Sequence, residues 1–189
     1  MLGGPRFGDT RVMPAFPPLD APPLRLEPVA VEHAGEMHAV LADPSIYAFL
    51  DEDEPPTLEW LRSAYERRAK GESPEVDEQW FNWMIRRDDG RLIGYVQATV
   101  ESPEICWIAY VLTAEGRGQG HATRAVTAMV DYLRRAHDVP RLLASVDAAN
   151  ARSIALLVRL EFADADADLS RVFEIDGSDW LFVRPLTSA

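Results

Sequence analysis

Residues 111–133, VLTAEGRGQGHATRAVTAMVDYL, constrain this chain more than any other stretch. An apolar strand end runs into three glycines, Gly116, Gly118 and Gly120, interleaved with Arg117 and Gln119, and then into an amphipathic helix. Ala122, Ala125, Val126, Met129, Val130 and Leu133 fall at i, i+3, i+4, i+7, i+8 and i+11, one buried face at helical period. Glycine accepts positive φ and lets a ligand approach the backbone. A glycine loop that opens a helix turns unpaired N–H groups toward one point, at the positive end of the helix dipole. That is an anion site, most often a phosphate site.

Two familiar phosphate loops do not fit. A P-loop needs a lysine after its last glycine, and none follows here. A dinucleotide fingerprint needs Gly-x-Gly-x-x-Gly, whereas Gly116-x-Gly118-x-Gly120 has the wrong spacing. The stretch Arg117-Gly118-Gln119-Gly120-His121-Ala122 instead resembles the Arg/Gln-x-x-Gly-x-Gly/Ala signature of the GNAT superfamily, the acyl-CoA-dependent N-acyltransferases. The strand end Tyr110-Val111-Leu112 precedes it. About thirty residues later come Asn150-x-x-Ser153 and Leu160-Glu161-Phe162, similar to the Asn-x-x-Ser…Leu-Gly-Phe segment of the RimJ/RimL-like branch, which acetylates protein N-termini and other amines. The likeness spans roughly residues 24–186 and is strongest over 107–162.

The chain has 189 residues, enough for one domain with a substantial core. Residues 1–23, with six of the fourteen prolines, read as an extended arm that forms neither helix nor central strand, and 24–189 as the single domain. No apolar run reaches membrane-spanning length and no signal-peptide pattern opens the chain. The lone Cys106 excludes an internal disulfide and a cysteine metal site, so no metal and a reducing cytoplasm are expected. A net charge of -12 argues against nucleic acid as a partner and suits a cationic amine, although solubility alone accounts for an acidic surface.

In order, the chain reads as a short strand from Leu24, a helix over 32–41 broken at Asp43-Pro44, a further helical turn over 45–50, and an acidic loop over 51–54. Thr57 caps the next helix, which carries Trp60, Leu61, Ala64 and Tyr65 and ends before Gly71. Residues 80–86 and 92–100 form a hairpin across Asp88-Asp89-Gly90, with Trp80 and Trp83 on opposite faces. Strands follow at 105–112 and 141–146, a helix at 150–160, and a closing hairpin of 172–175 with 180–183. The order is β-α-α-β-β-β-α-β-α-β-β, an α/β protein. The resemblance implies the GNAT arrangement, a mixed, mostly antiparallel sheet with two splayed central strands, flanked by helices.

The resemblance also implies a co-substrate, acetyl-CoA. Arg117, Gly118, Gln119, Gly120, His121 and Ala122 would cradle its pyrophosphate, with Thr123 as a hydroxyl donor. Tyr110, Val111 and Leu112 would offer a strand edge to the pantetheine amides. Asn150 either caps its helix or bonds the pantetheine; the roles are compatible. Ser153 is the expected proton donor to the leaving thiolate, because Leu157 stands where many relatives place a tyrosine; a serine bonding its own helix backbone is the plain alternative. The amine must lose a proton before attack, so a general base is needed. Glu101 and Glu104, then Asp147, are its candidates, and the acidic loop would recognise a cation. The buried-strand Cys106 reads as core.

The acceptor is a primary amine: a peptide N-terminus, a polyamine or an amine antibiotic. A non-catalytic CoA-binding sensor of the same fold is the alternative, and a toxin acting on charged tRNA is disfavoured by the absence of a basic face. The arm and closing hairpin are compatible with a homodimer.

Overall fold

Side-chain alternation along the central strands decides the layers. In a strand, successive residues face opposite sides. Along β3 (Gln79–Arg86), Phe81, Trp83 and Ile85 enter one core and Met84 the other. Along β5 (Ile105–Leu112), Cys106, Ile108, Tyr110 and Leu112 turn to the first core, while Val111 packs against the second. The sheet therefore has helices on both faces. The computed structural model describes residues 15–50, 54–73, 76–102, 104–137, 139–175 and 177–186; residues 51–53 of the acidic loop lie outside them.

The remaining elements are β1 (Leu19–Ala21), β2 (Leu24–Pro28), α1 (Ala34–Val40), α2 (Leu58–Arg68), β4 (Leu92–Ser102), α3 (His121–Ala136), β6 (Arg141–Asp147), α4 (Ala151–Arg159), β7 (Ala163–Asp164), α5 (Ala167–Val172) and β8 (Asp179–Pro185). The eight strands lie in the order β1-β2-β3-β4-β5-β6-β8-β7. Every neighbouring pair is antiparallel except β5 and β6. These two parallel strands share only Cys106↔Leu142 and Trp107↔Leu143 before they part, which is the expected splay. The fold is thus a mixed, mostly antiparallel α/β sheet flanked by helices.

Helix α3 buries the face that its sequence marks: Ala125, Val126, Met129, Val130 and Leu133 are each 3% exposed or less. A fully buried side chain of this size contributes about 1.5–3 kcal/mol. Leu142, Leu143 and Ala144 are buried in succession, as a strand covered on both faces requires. Cys106 is buried and its thiol is pushed up to about 12 by burial first and by the nearby Glu101 charge second, which is the behaviour of a core cysteine.

Three features differ from the sequence reading. First, Leu19–Ala21, in the stretch expected to be an arm, pairs with β2 at the sheet edge, where proline neighbours are tolerated. Phe16 packs edge-on against Trp83, whose indole N–H donates to the Pro17 carbonyl at 2.9 Å, so residues 16–21 join the core. Second, the closing hairpin uses another partner. Val172 ends α5, which Asp166 caps through the Leu169 N–H at 2.8 Å, and β8 pairs instead with Ala163 and Asp164. Burial of Phe162 draws the residues that follow it onto β8, while Glu174, at φ 50°, is no strand residue. Third, the first helix opens with a 3-10 turn, Val31–His33, and is α-helical only over Ala34–Val40; the expected helical turn after Asp43 is the 3-10 helix Pro44–Phe49, started by the Asp43 carboxylate accepting from Ser45 N–H.

Glu161, which stands where the related motif has glycine, keeps the glycine geometry: its φ is 64°. The Phe162 N–H still closes the helix on the Leu157 carbonyl at 3.0 Å. A non-glycine residue in this conformation costs about 1 kcal/mol, and the exposed Glu161–Arg184 pair at 3.0 Å offsets little of it. Glu161→Gly is expected to raise stability by about 0.5–1 kcal/mol, the released strain less the added freedom of the unfolded chain. Thermal denaturation checks this; a lowered melting temperature would show that the ion pair outweighs the strain.

Candidate active site

The fork between β5 and β6 is closed at one end by the glycine loop and at the other by the start of α4. Together they form a cleft of about 660 Å³. Tyr110, Val111 and Leu112 line it from the strand, Arg117, Gly118, Gly120, His121, Ala122 and Thr123 from the loop and helix start, and Asn150 and Ser153 from α4. Of the residues expected to hold the co-substrate, Gln119 alone does not line the cleft; its side-chain amide donates to the Glu115 carbonyl at 2.9 Å and braces the loop.

The loop presents donors as expected. Gly118 and Gly120 have φ of 77° and 76°, which only glycine adopts cheaply. The Arg124 N–H makes the first helical bond, to Gly120, so the amides of His121, Ala122 and Thr123 have no acceptor within the helix. The N-cap residue, Gly120, has no side chain to satisfy them. His121 Nδ1, on this cleft, is buried without a hydrogen-bond partner among the described residues. The Arg117 guanidinium is spent on structure: it donates to the Leu112 carbonyl at 3.0 Å and the Ser45 carbonyl at 3.1 Å. Asp43 ties the same turn to the loop, accepting from Ala114 N–H and Ser45 N–H at 2.9 Å each. The Ala114 bond, followed by those to Ser45, holds its carboxyl below the usual range.

The charge around the cleft is opposite to that of the chain. Among the described residues Arg117, Arg152 and Arg159 line it and no Asp or Glu does, in a protein of net charge -12. Arg152 and Arg159 were not singled out from the sequence. Their spacing of seven on one helix, starting just after Asn150, is the signal that would have found them. Unpaired amides, an orphaned imidazole nitrogen and the side chains of Arg152 and Arg159 fit a polyphosphorylated ligand such as acetyl-CoA. Among the described residues no His, Cys, Asp and Glu group is placed to hold a metal ion.

At the fork, the Tyr110 hydroxyl lies 2.6 Å from Ser153 Oγ. Tyr110 thus puts a phenol beside Ser153 from β5, while Leu157, where relatives place theirs, is fully buried in the core. Burial pushes the Tyr110 phenol up to about 12, against the opposing effect of its Ser153 hydrogen bond, so it is protonated at neutral pH. Asn150 Oδ1 accepts the Ser153 N–H at 3.1 Å, so the cap role is filled and the amide NH2 is left for a ligand. A second cavity, of about 490 Å³, adjoins the cleft across Ile46 and Leu50, which line both.

The expected bases are not brought to the fork. Glu101 and Glu104 are exposed at the opposite end of the β4–β5 hairpin, and Glu104 pairs with Arg141 at 3.5 Å. Seven residues of strand separate Glu104 from Val111, roughly 20 Å. They sit where β5 and β6 are still paired, and neither is among the residues lining the cleft. Asp147 Oδ1 accepts the Ala149 N–H at 2.7 Å and serves the turn into α4. Trp80 donates to Glu78 at 2.9 Å and lines neither cavity; Trp60 does, in the second.

Comparison with known proteins agrees with this geometry. The family model for the acetyltransferase (GNAT) domain matches residues 23–163. Among solved structures, the chain is similar to RimL, the ribosomal L7/L12 α-N-protein acetyltransferase in complex with coenzyme A, at 18% identity and TM-score 0.72, covering 89% of this chain and 97% of that one. It is similar to the ribosomal-protein-S5-alanine acetyltransferase of Vibrio fischeri at 16% identity and TM-score 0.73, covering 90% and 97%. The microcin C7 self-immunity acetyltransferase MccE, in complex with acetyl-CoA and AMP, is similar at 15% identity and TM-score 0.69, covering 87% and 93%. No curated protein sequence matches. With three quarters of its length matched by the family model and its anion loop at the mouth of a splayed fork, the chain belongs to the GNAT acetyltransferase family.

Proposed function

We propose that this protein acetylates a primary amine by direct attack, and that the fork is where the transfer happens. The observation that carries the reading is a cleft with three arginines and no carboxylate among its described lining residues, set at an open strand edge in an acidic protein. Acetyl-CoA supplies the activated acetyl group as a thioester. The loop amides and Arg152 and Arg159 bind its phosphates. The unpaired edge of β5 at residues 109–111 accepts the pantetheine amides as an added strand would. The amine nitrogen bonds to the acetyl carbon, the carbon–sulfur bond breaks with its electron pair on sulfur, the amine gives up one proton and sulfur gains one. Ser153 is the donor at the fork, and the protonated Tyr110 phenol positions it and replenishes it through the 2.6 Å contact.

For the proton the amine must lose, Glu54 is the carboxylate among the described lining residues of the adjoining cavity. Burial there also disfavours the ammonium form and lowers the acceptor's own pKa. The reaction belongs to the cytoplasm, a reading supported by the single, buried cysteine and by the absence among described residues of a helix able to cross a membrane.

Thiol release from acetyl-CoA against a panel of amines tests the proposal. Ser153→Ala is expected to lower turnover roughly 100-fold and leave CoA affinity unchanged by calorimetry. Tyr110→Phe should cost about 10-fold, less than the serine, because it acts through it. Normal turnover in Ser153→Ala would return the serine to a helix feature. CoA binding without turnover on any amine would move the protein to a non-catalytic sensor.

A further inference from the structure

The cavity beside the coenzyme cleft has a chemistry of its own. Its floor is the α2-facing side of β3 and β4, where Asn82 and Gln97 stand directly opposite each other in the antiparallel register. Opposed residues have Cβ atoms about 5 Å apart, so the two carboxamides form a neighbouring pair. Asn82 is 7% exposed, yet neither carboxamide has a hydrogen-bond partner among the described residues. Both carboxamides line the cavity, where a bound amide or carbonyl would pair with them. Tyr65, 2% exposed, also lines the cavity with its hydroxyl unpartnered among the described residues. Burial pushes that phenol up to about 12, against the opposing charge of Arg68, so at neutral pH it is a hydrogen-bond donor.

The walls are aromatic and the far end is basic. Trp60 and Tyr95 line the cavity, and the Arg68 guanidinium lies 5.8 Å from the centre of the Trp60 ring. Arg68 makes no ion pair among the described residues. The single carboxylate among the described lining residues is Glu54. Among the described lining residues a polycation would meet that one carboxylate, and the Trp60 face that would attract an ammonium already holds Arg68. A flat apolar body gains from the rings, and a carboxylate or phosphate gains from an unpaired guanidinium.

We propose that the acceptor is an α-aminoacyl compound with an aromatic side chain and an anionic group beyond its amide. The ring packs against Trp60 and Tyr95, the amide is bonded by Asn82 and Gln97, and the anion pairs with Arg68. This rests on the acetyl-transfer reading above, and it narrows the amine to one class.

Thiol release is measured with C-terminally amidated dipeptides Phe-Glu, Phe-Gln and Ala-Glu and with spermidine. The expected kcat/KM for Phe-Glu exceeds that for each of the other three by about 10-fold or more, the discrimination that a shaped pocket delivers. Arg68→Gln should erase the preference for Phe-Glu over Phe-Gln and keep that for Phe-Glu over Ala-Glu. Trp60→Ala should do the reverse, and CoA affinity should be unchanged in both. Spermidine or Ala-Glu turned over as well as Phe-Glu would overturn the proposal while leaving the enzyme reading intact. Thiol release from no amine, with CoA still bound, would sink the enzyme reading instead. The cavity is then judged by calorimetric titration of the CoA complex, where spermidine binding as tightly as Phe-Glu amide overturns it.

Discussion

Gly120→Glu is expected to weaken coenzyme A binding by at least about 100-fold, a loss of about 2.7 kcal/mol. Gly120 caps α3 at φ 76°, and a Cβ built there meets nothing within 4 Å. A glutamate side chain would therefore enter the cleft rather than clash with protein. Its carboxylate would compete for the free amides of His121, Ala122 and Thr123 and repel a polyanion. Gly120→Ala is the control. It adds only a methyl and the strain of a left-handed φ, about 1 kcal/mol, so its CoA affinity should lie between the wild type and the glutamate variant. Calorimetric titration with CoA reads both. Undiminished binding in Gly120→Glu would mean that the loop does not hold phosphate, and the assignment of the cleft would fall with it.

Gly94→Ala should be the most damaging single methyl in the sheet. Gly94 sits at φ 151° on β4 opposite Leu112, and its added Cβ would lie 1.9 Å from the Val111 carbonyl oxygen and 2.9 Å from Leu112 Cα. Both obstacles are backbone, so no rotamer change relieves them. Backbone strain and overpacking together cost on the order of 3 kcal/mol or more, which for a domain of this size lowers the melting temperature by about 6–12 °C. Because β5 is the wall of the cleft at Val111 and Leu112, CoA affinity should fall as well. Gly90→Ala makes the comparison: it has φ 85° but open space, so only the conformational cost of about 1 kcal/mol remains. Equal melting temperatures for the two variants would show that β4 yields at Gly94, and that the approach to β5 is not constrained by it.

The parts of the site that sequence made visible are local. The glycine loop, the apolar face of α3, the Asn150 cap and the Thr57 cap each depend on residues within a few positions of one another. The Thr57 hydroxyl accepts the Trp60 N–H at 3.2 Å, as its position before the helix implies. The closing hairpin escaped because 172–175 is as apolar as a strand, while the capping Asp166 and the pull of buried Phe162 act from outside it. Glu101 and Glu104 lie near the loop in sequence, at the start of the strand that leads to it, and strand geometry carries them to the far end of that strand.

What the sequence determined by itself was the family-defining segment: a strand, a loop whose conformation only glycine adopts without strain, and a helix whose period leaves its first amides free. These follow from short-range sterics and hydrogen bonding, which act on neighbours along the chain. The tertiary structure alone decided which side chains meet. It set Tyr110 beside Ser153 across 43 residues, opposed Asn82 to Gln97, left Arg68 without a counter-ion among the described residues beside Trp60, and gathered Arg117, Arg152 and Arg159 around one cleft in an acidic chain. The reason is that a strand's pairing partner and the face it shares are fixed by burial summed over the whole sheet, and no window of sequence contains that sum.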